Sequence, residues 1–146
     1  MESLDLVEKE LTARTAEFFR AVSFETAGKP RYDQIYDLFI EGGLLIKNSE
    51  SKPEIMTVAE FIAPRQALVD VGRLTSFEET EIEHRIDTFG QVAHHLCTYA
   101  KTGVLDGVAT QGRGVISTQF VRTPDGWKMS SMAWDDERDG QSIPAL

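Results

Sequence analysis

The sequence predicts an α+β fold, in which three N-terminal helices lie in the concave face of a strongly curved, mainly antiparallel sheet with a pocket between the layers. Two observations support this class. Residues 3 to 74 carry mostly helical patterns. Residues 77 to 137 indicate four long strands joined by turns, with almost no helical signal. Helices followed by a long antiparallel meander are typical of a sheet that folds over its own helices.

Apolar residues at helical spacing predict the first helix, over residues 4 to 23. They are Leu4, Val7, Leu11, Phe18, Phe19 and Val22. The segment Gly28-Lys29-Pro30 breaks this helix, and Pro30 suits the first turn of a second one. The second helix has Tyr32, Ile35, Tyr36 and Phe39 on one face. Gly42-Gly43 is expected to end it.

A short apolar strand, Leu44 to Lys47, and a polar loop, Asn48 to Pro53, follow. Thr57 and Glu60 then form the pattern of a capping box, in which each side chain satisfies a free amide of the first helical turn. This pattern opens a third helix that is expected to reach about Val71.

The first strand of the meander, Phe77 to Phe89, alternates between two sets of side chains. The charged set, expected to face solvent or a partner, is Glu79, Glu81, Glu83, Arg85 and Asp87. The set expected to face the helices is Thr80, Ile82, His84, Ile86 and Thr88.

Turn residues divide the rest of the meander into three further strands. Gly90-Gln91 leads into a strand from Val92 to Lys101, and a glycine-rich loop from Gly103 to Gly114 leads into a strand from Val115 to Arg122. Pro124-Asp125-Gly126 predicts a hairpin turn before the last strand, Trp127 to Asp135. We expect a single domain over residues 1 to 146, with a core of about 4 to 137 and a frayed polar tail, 138 to 146.

Charge and composition narrow the class of partner. The net charge of −9 argues against nucleic acid. The longest apolar runs are too short for a membrane span, and the acidic N-terminus lacks a signal region. A single cysteine, Cys97, fits a reducing compartment, so we expect a cytoplasmic protein. No Cys/His pattern at short spacing indicates a metal site, and we expect no metal and no cofactor.

Histidines on adjacent predicted strands are the main catalytic candidates. His84 lies on the apolar side of its strand, and His94-His95 lies on the next strand, so one of these two must point inward. Two inward imidazoles could share a ligand, a water or a proton. A hydrogen-bonded core histidine is the alternative for each.

Other polar and aromatic residues could line the pocket. Ser117 and Gln119 could anchor a substrate oxygen, unless they lie on the outer face with Ile116 and Thr118 turned inward. Met132 and Trp134 could form pocket walls or simply core. Tyr32 and Tyr36 could each aim a phenol at the pocket, and a stripe of core residues is the alternative. Glu25, near the first helix connection, could orient an inward histidine, although a solvated carboxylate is the alternative.

The element order and the segment GVISTQFVRTPDGWKMSSMAW, Gly114 to Trp134, resemble the nuclear transport factor 2-like superfamily and its SnoaL-like bacterial members. The resemblance covers about residues 5 to 137. It implies a cone-shaped, barrel-like α+β fold with an internal cavity, and homodimers built on the outer sheet face. The superfamily includes enzymes and non-catalytic binding modules, so the fold does not fix the function.

Two enzymes of this superfamily offer comparisons. The pattern of ketosteroid isomerase is not met, because Lys47 and Ser117 stand where that family has its two aspartates. Scytalone dehydratase is similar in using two inward histidines and a carboxylate, which His84, His94 or His95, and Glu25 would match. Phe24 stands in place of one of its tyrosines.

These observations predict a small-molecule pocket protein that is a cofactor-independent lyase or isomerase. It would move a proton on a hydrophobic carbonyl compound, in the manner of a dehydratase or cyclase. The alternative is a non-catalytic ligand-binding or accessory homodimer of the same fold.

Overall fold

The computed structural model describes residues 3 to 146 and has two layers, helices on one side and a single sheet on the other. The helices are α1 (Leu4–Val22), a 3-10 helix (Tyr32–Leu38) and α2 (Val58–Asp70). The strands are β1 (Phe39–Lys47), β2 (Glu54–Thr57), β3 (Leu74–Phe89), β4 (Val92–Leu105), β5 (Val108–Thr123) and β6 (Gly126–Asp136). The predicted α+β class is confirmed.

The six strands form one open sheet in the order β2-β1-β6-β5-β4-β3. β1 and β6 run parallel, and every other neighbouring pair is antiparallel. The four antiparallel strands from β3 to β6 are therefore present as predicted. In the observed order, β3 is one edge of the sheet. α1 packs against β3, which closes part of the inner face at that edge.

Local signals set the ends of both α-helices. Ser3 caps α1 by accepting a hydrogen bond from the Leu6 amide at 3.3 Å. At α2, the Glu60 amide donates to Thr57 Oγ1 at 3.1 Å and the Thr57 amide donates to Glu60 Oε1 at 3.0 Å. The predicted capping box is therefore present.

The predicted second helix is wrong in type and length. It is a 3-10 helix that ends at Leu38, and Phe39 already belongs to β1. Gly42-Gly43 interrupts the pairing of β1 with β6 and does not end a helix. Gly42 has a φ of +80°, and a side chain at Gly43 would meet the Phe39 ring at 2.9 Å. Glycine serves a bulge as readily as a helix end, so the sequence signal was ambiguous.

The predicted glycine-rich loop from Gly103 to Gly114 is also wrong. β4 and β5 pair continuously up to a tight turn at Asp106-Gly107, where both residues have positive φ angles of 53° and 76°. Such turns match the twist of a hairpin. A Cβ at Gly114 would lie 2.3 Å from the Tyr99 hydroxyl, so that glycine permits close packing inside the sheet.

A bulge in β3 reverses part of the predicted alternation. The register with β4 shifts between Glu81, which pairs with Tyr99, and Glu83, which pairs with Thr98. Before the bulge, Glu79 and Glu81 share the inner face with buried residues of β4. After the bulge, the residues of β3 on the inner face are His84, Ile86 and Thr88. The expectation that Glu79 and Glu81 face solvent is corrected by this extra residue.

The core lies between the helices and the inner face of the sheet. Its largest fully buried apolar side chains are Leu11, Ile35, Leu45, Tyr99, Phe120, Trp127, Met129 and Met132. The polar tail, which was expected to be frayed, makes defined contacts. Arg138 forms an ion pair with Asp135 at 2.7 Å, and its backbone forms an isolated β-bridge with Gln141. Within residues 3 to 146, no helix is long and apolar enough to cross a membrane.

Candidate functional site

The inner faces of β3 and β4 bring one carboxylate and two imidazoles together. His84 Nδ1 lies 2.8 Å from Glu81 Oε2, and His95 Nε2 lies 3.1 Å from Glu81 Oε1. The two rings stack with centroids 5.2 Å apart. We call this group the Glu81–His84–His95 triad. Its ligand atoms all lie within 4.8 Å of one another, an arrangement that could hold one metal ion.

The two imidazoles differ in burial. The His84 side chain is 35% exposed, whereas His95 is fully buried. Although His95 Nε2 is near Glu81, the approach lies off the direction of a hydrogen bond, and within residues 3 to 146 neither nitrogen of His95 has a hydrogen-bond partner. The buried hydroxyl of Thr118, directly opposite His95 on β5, is also without a partner in that range.

Glu81 is held as a carboxylate by the two rings. Burial would raise the pKa of Glu81, but the contacts from His95 and His84 outweigh it and the pKa is lowered. A carboxylate can only accept a hydrogen bond, so His84 Nδ1 carries the proton in the contact with Glu81. In the neutral ring, His84 Nε2 then carries the free lone pair.

A cleft runs along the seam between α1 and β3 beside the triad. One cavity of about 510 Å³ is bordered by Glu81 and by three aromatic rings, Phe19, Phe24 and Phe77. A second cavity of about 420 Å³ is bordered by His84. Both are also lined by Thr12 and Ala16 of α1, whose small side chains leave this room, and we call the two together the α1–β3 cleft.

A second polar group lies further along the same inner face. Glu79 is opposite Lys101, and Lys101 Nζ contacts both carboxylate oxygens of Asp136 at 3.0 and 3.1 Å. The Tyr99 hydroxyl also donates to Asp136. Burial raises the pKa of Glu79 to about 7, against the smaller opposing effect of Lys101. Glu79 also lines the α1–β3 cleft.

Three of the predicted site residues lie on the outer face of the sheet. His94 pairs with Gln119 in register, and His94 Nε2 hydrogen-bonds to Ser117 Oγ at 2.8 Å. The inner positions of β5 are Ile116, Thr118 and Phe120, which are buried. The structure therefore resolves two open alternatives: His95 is the inward histidine, and Ser117 and Gln119 face away from the helices, where they cannot reach the inner face.

The remaining predicted residues are not brought to the triad. Glu25 is exposed and lines the α1–β3 cleft, but it makes no hydrogen bond with a histidine among the contacts of residues 3 to 146. Tyr36 is 52% exposed, whereas Tyr32 is buried, and burial raises its pKa. Met132 is core, and Trp134 packs edge-on against Phe61 with centroids 6.0 Å apart.

Sequence reasoning found both histidines of the triad but missed its carboxylate. The alternation along β3 assigns Glu81 to the outside, and only the pairing of Glu81 with Tyr99 reveals that it faces inward. A single bulge is sufficient to cause this error, because side-chain direction changes with every residue. The small residues of α1 that border the cleft, Thr12, Ala13 and Ala16, lie beside its apolar face and not within it, so they gave only a weak signal.

No family model matches the chain, and no curated protein matches its sequence. Solved structures do. An NTF2-like superfamily protein from Salmonella enterica serovar Typhimurium has a TM-score of 0.74 and 15% identity, covering 99% of this chain and 95% of that one. A protein proposed as a dehydratase of the NTF2-like family, from Streptomyces avermitilis, has a TM-score of 0.70 and 16% identity over 93% and 99% of the two chains.

A proposed scytalone dehydratase from Novosphingobium aromaticivorans is similar as well, with a TM-score of 0.69 and 12% identity over 92% of this chain and 87% of that one. At such identities the likeness concerns the fold. It agrees with the resemblance predicted from the segment Gly114 to Trp134 and from the order of helices and strands. The chain has the nuclear transport factor 2-like fold.

Proposed function

We propose that the chain binds a small hydrophobic carbonyl compound in the α1–β3 cleft and moves a proton on it, as a cofactor-independent lyase or isomerase. One observation carries the proposal: Glu81 accepts from His84 Nδ1 at 2.8 Å beside a cleft lined by aromatic rings. A histidine oriented by a carboxylate is a common general base. Structural neighbours proposed as dehydratases add support at the level of the fold.

The size of the cleft and the aromatic part of its lining suit a compact ligand with an apolar body, and Glu25, Glu78 and Glu79 make another part of the wall acidic. Its larger cavity, about 510 Å³, falls within the roughly 300–1,000 Å³ typical of small-molecule sites. Phe19, Phe24 and Phe77 offer apolar surface, and Thr12 and Arg20 offer hydrogen-bond donors. A carbonyl oxygen held by either donor would be stabilised as negative charge develops on it.

The proton transfer follows from the tautomer of His84. Nε2 takes a proton from the carbon next to the carbonyl, and the Glu81 carboxylate stabilises the imidazolium that forms. An isomerase returns the proton to another carbon of the same molecule. A lyase instead delivers it to a leaving hydroxyl, which departs as water. His95, buried behind His84, keeps that ring in position by stacking.

The test is proton exchange in heavy water. The protein is first screened by thermal shift against hydrophobic ketones and hydroxy-ketones, and each ligand is then followed by NMR in D₂O. We expect deuterium to enter next to the carbonyl, and His84→Gln to abolish the exchange while retaining binding. His94→Gln is the matched control. A ligand that binds without exchange in the wild type would instead favour the non-catalytic binding role.

We also propose that the chain pairs through the outer face of the sheet. Apolar side chains on that face are only partly buried within one chain; they are Leu44, Ile46, Leu96, Val115 and Ala133. At its edge, Phe89 is 86% exposed. Exposed apolar area of this kind marks interaction surfaces. Light scattering at micromolar concentration should give a dimer, which Leu96→Glu should convert to a monomer; a wild-type monomer would refute the proposal.

A further inference from the structure

We propose that the Glu81–His84–His95 triad binds one divalent transition-metal ion, and that the ion withdraws His84 from proton transfer. Metal binding stands on the geometry of the triad alone. The inhibitory consequence rests on the proposed function. The two parts can therefore fail separately.

The donor set is the first argument. Two imidazole nitrogens and a carboxylate suit zinc and its neighbours in the first transition row, and they leave positions open for water or a ligand. Bonds of about 2.0–2.2 Å at a tetrahedral ion place its ligand atoms about 3.3–3.6 Å apart. His84 Nδ1 lies 2.8 Å from Glu81 Oε2 and His95 Nε2 lies 3.1 Å from Glu81 Oε1, somewhat closer than this, and all three ligand atoms lie within 4.8 Å of one another.

The second and independent argument is the state of His95. Its side chain is fully buried, yet both of its nitrogens lack a hydrogen bond within residues 3 to 146. Buried imidazoles normally have partners, so an orphaned one indicates a missing ion, water or ligand. Nε2 lies 3.1 Å from Glu81 Oε1 without the alignment of a hydrogen bond. Two ligands of one ion have that separation and need no such alignment.

Thr118 is placed to stabilise the metal-binding tautomer of His95, with the proton on Nδ1, once an ion occupies Nε2. Thr118 lies directly opposite His95 on β5, with a buried hydroxyl that is also without a partner among the described residues. A hydrogen bond from His95 Nδ1–H to this hydroxyl would leave the Nε2 lone pair for the ion. Metal-bound histidines are generally fixed through their other nitrogen in this way.

Access and proton balance complete the argument. His84 is 35% exposed and lines the α1–β3 cleft, so an ion can enter from the cleft without unfolding the chain.

On binding, the ion forms a bond to His84 Nδ1, and the proton on Nδ1 relocates to Nε2. The ring stays neutral, but Nε2 no longer has a free lone pair. Proton abstraction and metal binding are therefore alternative states of one site.

The direct test is titration of the untagged, EDTA-treated chain with Zn²⁺ by calorimetry and with Co²⁺ by visible absorption. We expect one ion per chain and Co²⁺ bands typical of low coordination number. Glu81→Gln and His95→Asn should each lower the metal affinity by at least about 100-fold. Replacing a residue that only hydrogen-bonds to a metal ligand already lowers it by about 10–100-fold. His94→Gln, one residue away on the outer face, should stay within about twofold of wild type.

Two results would overturn the proposal: the wild type fails to saturate at one ion per chain, or His94→Gln loses the ion while Glu81→Gln keeps it. Glu81→Gln decides the matter if His95→Asn does not fold, which circular dichroism reports. Addition of Zn²⁺ should also stop the deuterium exchange. Binding without any exchange activity in the metal-free chain would leave the metal site standing and refute the proposed function. Deuterium exchange without metal binding would refute the metal site and leave the proposed function standing.

Discussion

Replacement of His95 by leucine should make the metal-free protein more stable, which is unusual for a fully buried position. His95 has two buried nitrogens without hydrogen bonds, and each such group costs about 1–3 kcal/mol of the free energy of unfolding. Leucine removes both nitrogens and retains apolar contact with the core. Natural sequences keep such a residue where function requires it.

Two losses oppose this gain. Attraction between His95 and Glu81 across 3.1 Å disappears, although Glu81 keeps its hydrogen bond with His84. The change in shape costs less than about 1.5 kcal/mol when volume is nearly conserved. We therefore expect His95→Leu to raise the free energy of unfolding by about 1–2 kcal/mol in EDTA.

Urea denaturation measures this effect. With a slope of about 2 kcal/mol per molar, the midpoint should rise by about 0.5–1 M. His94→Leu is the control, because His94 has a partner in Ser117 and its loss should give no gain. Zn²⁺ at about 100 times its Kd should then stabilise the wild type by about 2.7 kcal/mol and leave His95→Leu unchanged. A metal-free His95→Leu protein less stable than wild type by over about 1 kcal/mol would refute the reasoning.

Three further predictions concern the fold around the site. Thr57→Ala removes the capping box of α2 and should cost about 1 kcal/mol in urea denaturation, whereas Thr75→Ala, which loses only a contact of 3.5 Å, should cost little. Gly114→Ala should lower the free energy of unfolding by more than about 2 kcal/mol, because its Cβ would lie 2.3 Å from the Tyr99 hydroxyl. Gly112→Ala is the control and should be tolerated, since its Cβ would meet the flexible Lys101 side chain at 3.1 Å. Equal losses of stability in the two variants would contradict this packing. Hydrogen bonds from Arg138 and then Gln141 hold the pKa of Asp135 at about 2, so their stabilisation is present above about pH 4 and lost as the pH falls through about 2. Arg138→Gln should move the Asp135 carboxyl titration, followed by NMR, back toward 3.8, and an unchanged titration would refute the pairing.

Local signals in the sequence predicted much of the fold. The spacing of apolar residues defined α1, and the Thr57/Glu60 pair defined the start of α2, because capping depends on residues three apart. The turn before β6 was equally local. Gly42-Gly43 misled because glycine suits both a helix end and a bulge, and only the pairing of β1 with β6 distinguishes the two.

The candidate site was predicted in part, for a similar reason. Strand alternation placed His84 on the inner side, and adjacency required one of His94 and His95 to join it. Glu81 was assigned to the wrong face because the bulge in β3 depends on its register with β4. Strand register arises from contacts between segments distant in sequence, and no local pattern in β3 records it.

The most direct test of the triad is the tautomer of His84 in the metal-free protein. Long-range proton–nitrogen NMR distinguishes a protonated from an unprotonated ring nitrogen. We predict that His84 carries its proton on Nδ1, bonded to Glu81, and that a ligand entering the α1–β3 cleft shifts its unprotonated Nε2 while His94 is unaffected. A proton on Nε2 of His84, or a ligand that shifts His94 alone, would contradict the role assigned to Glu81 and His84.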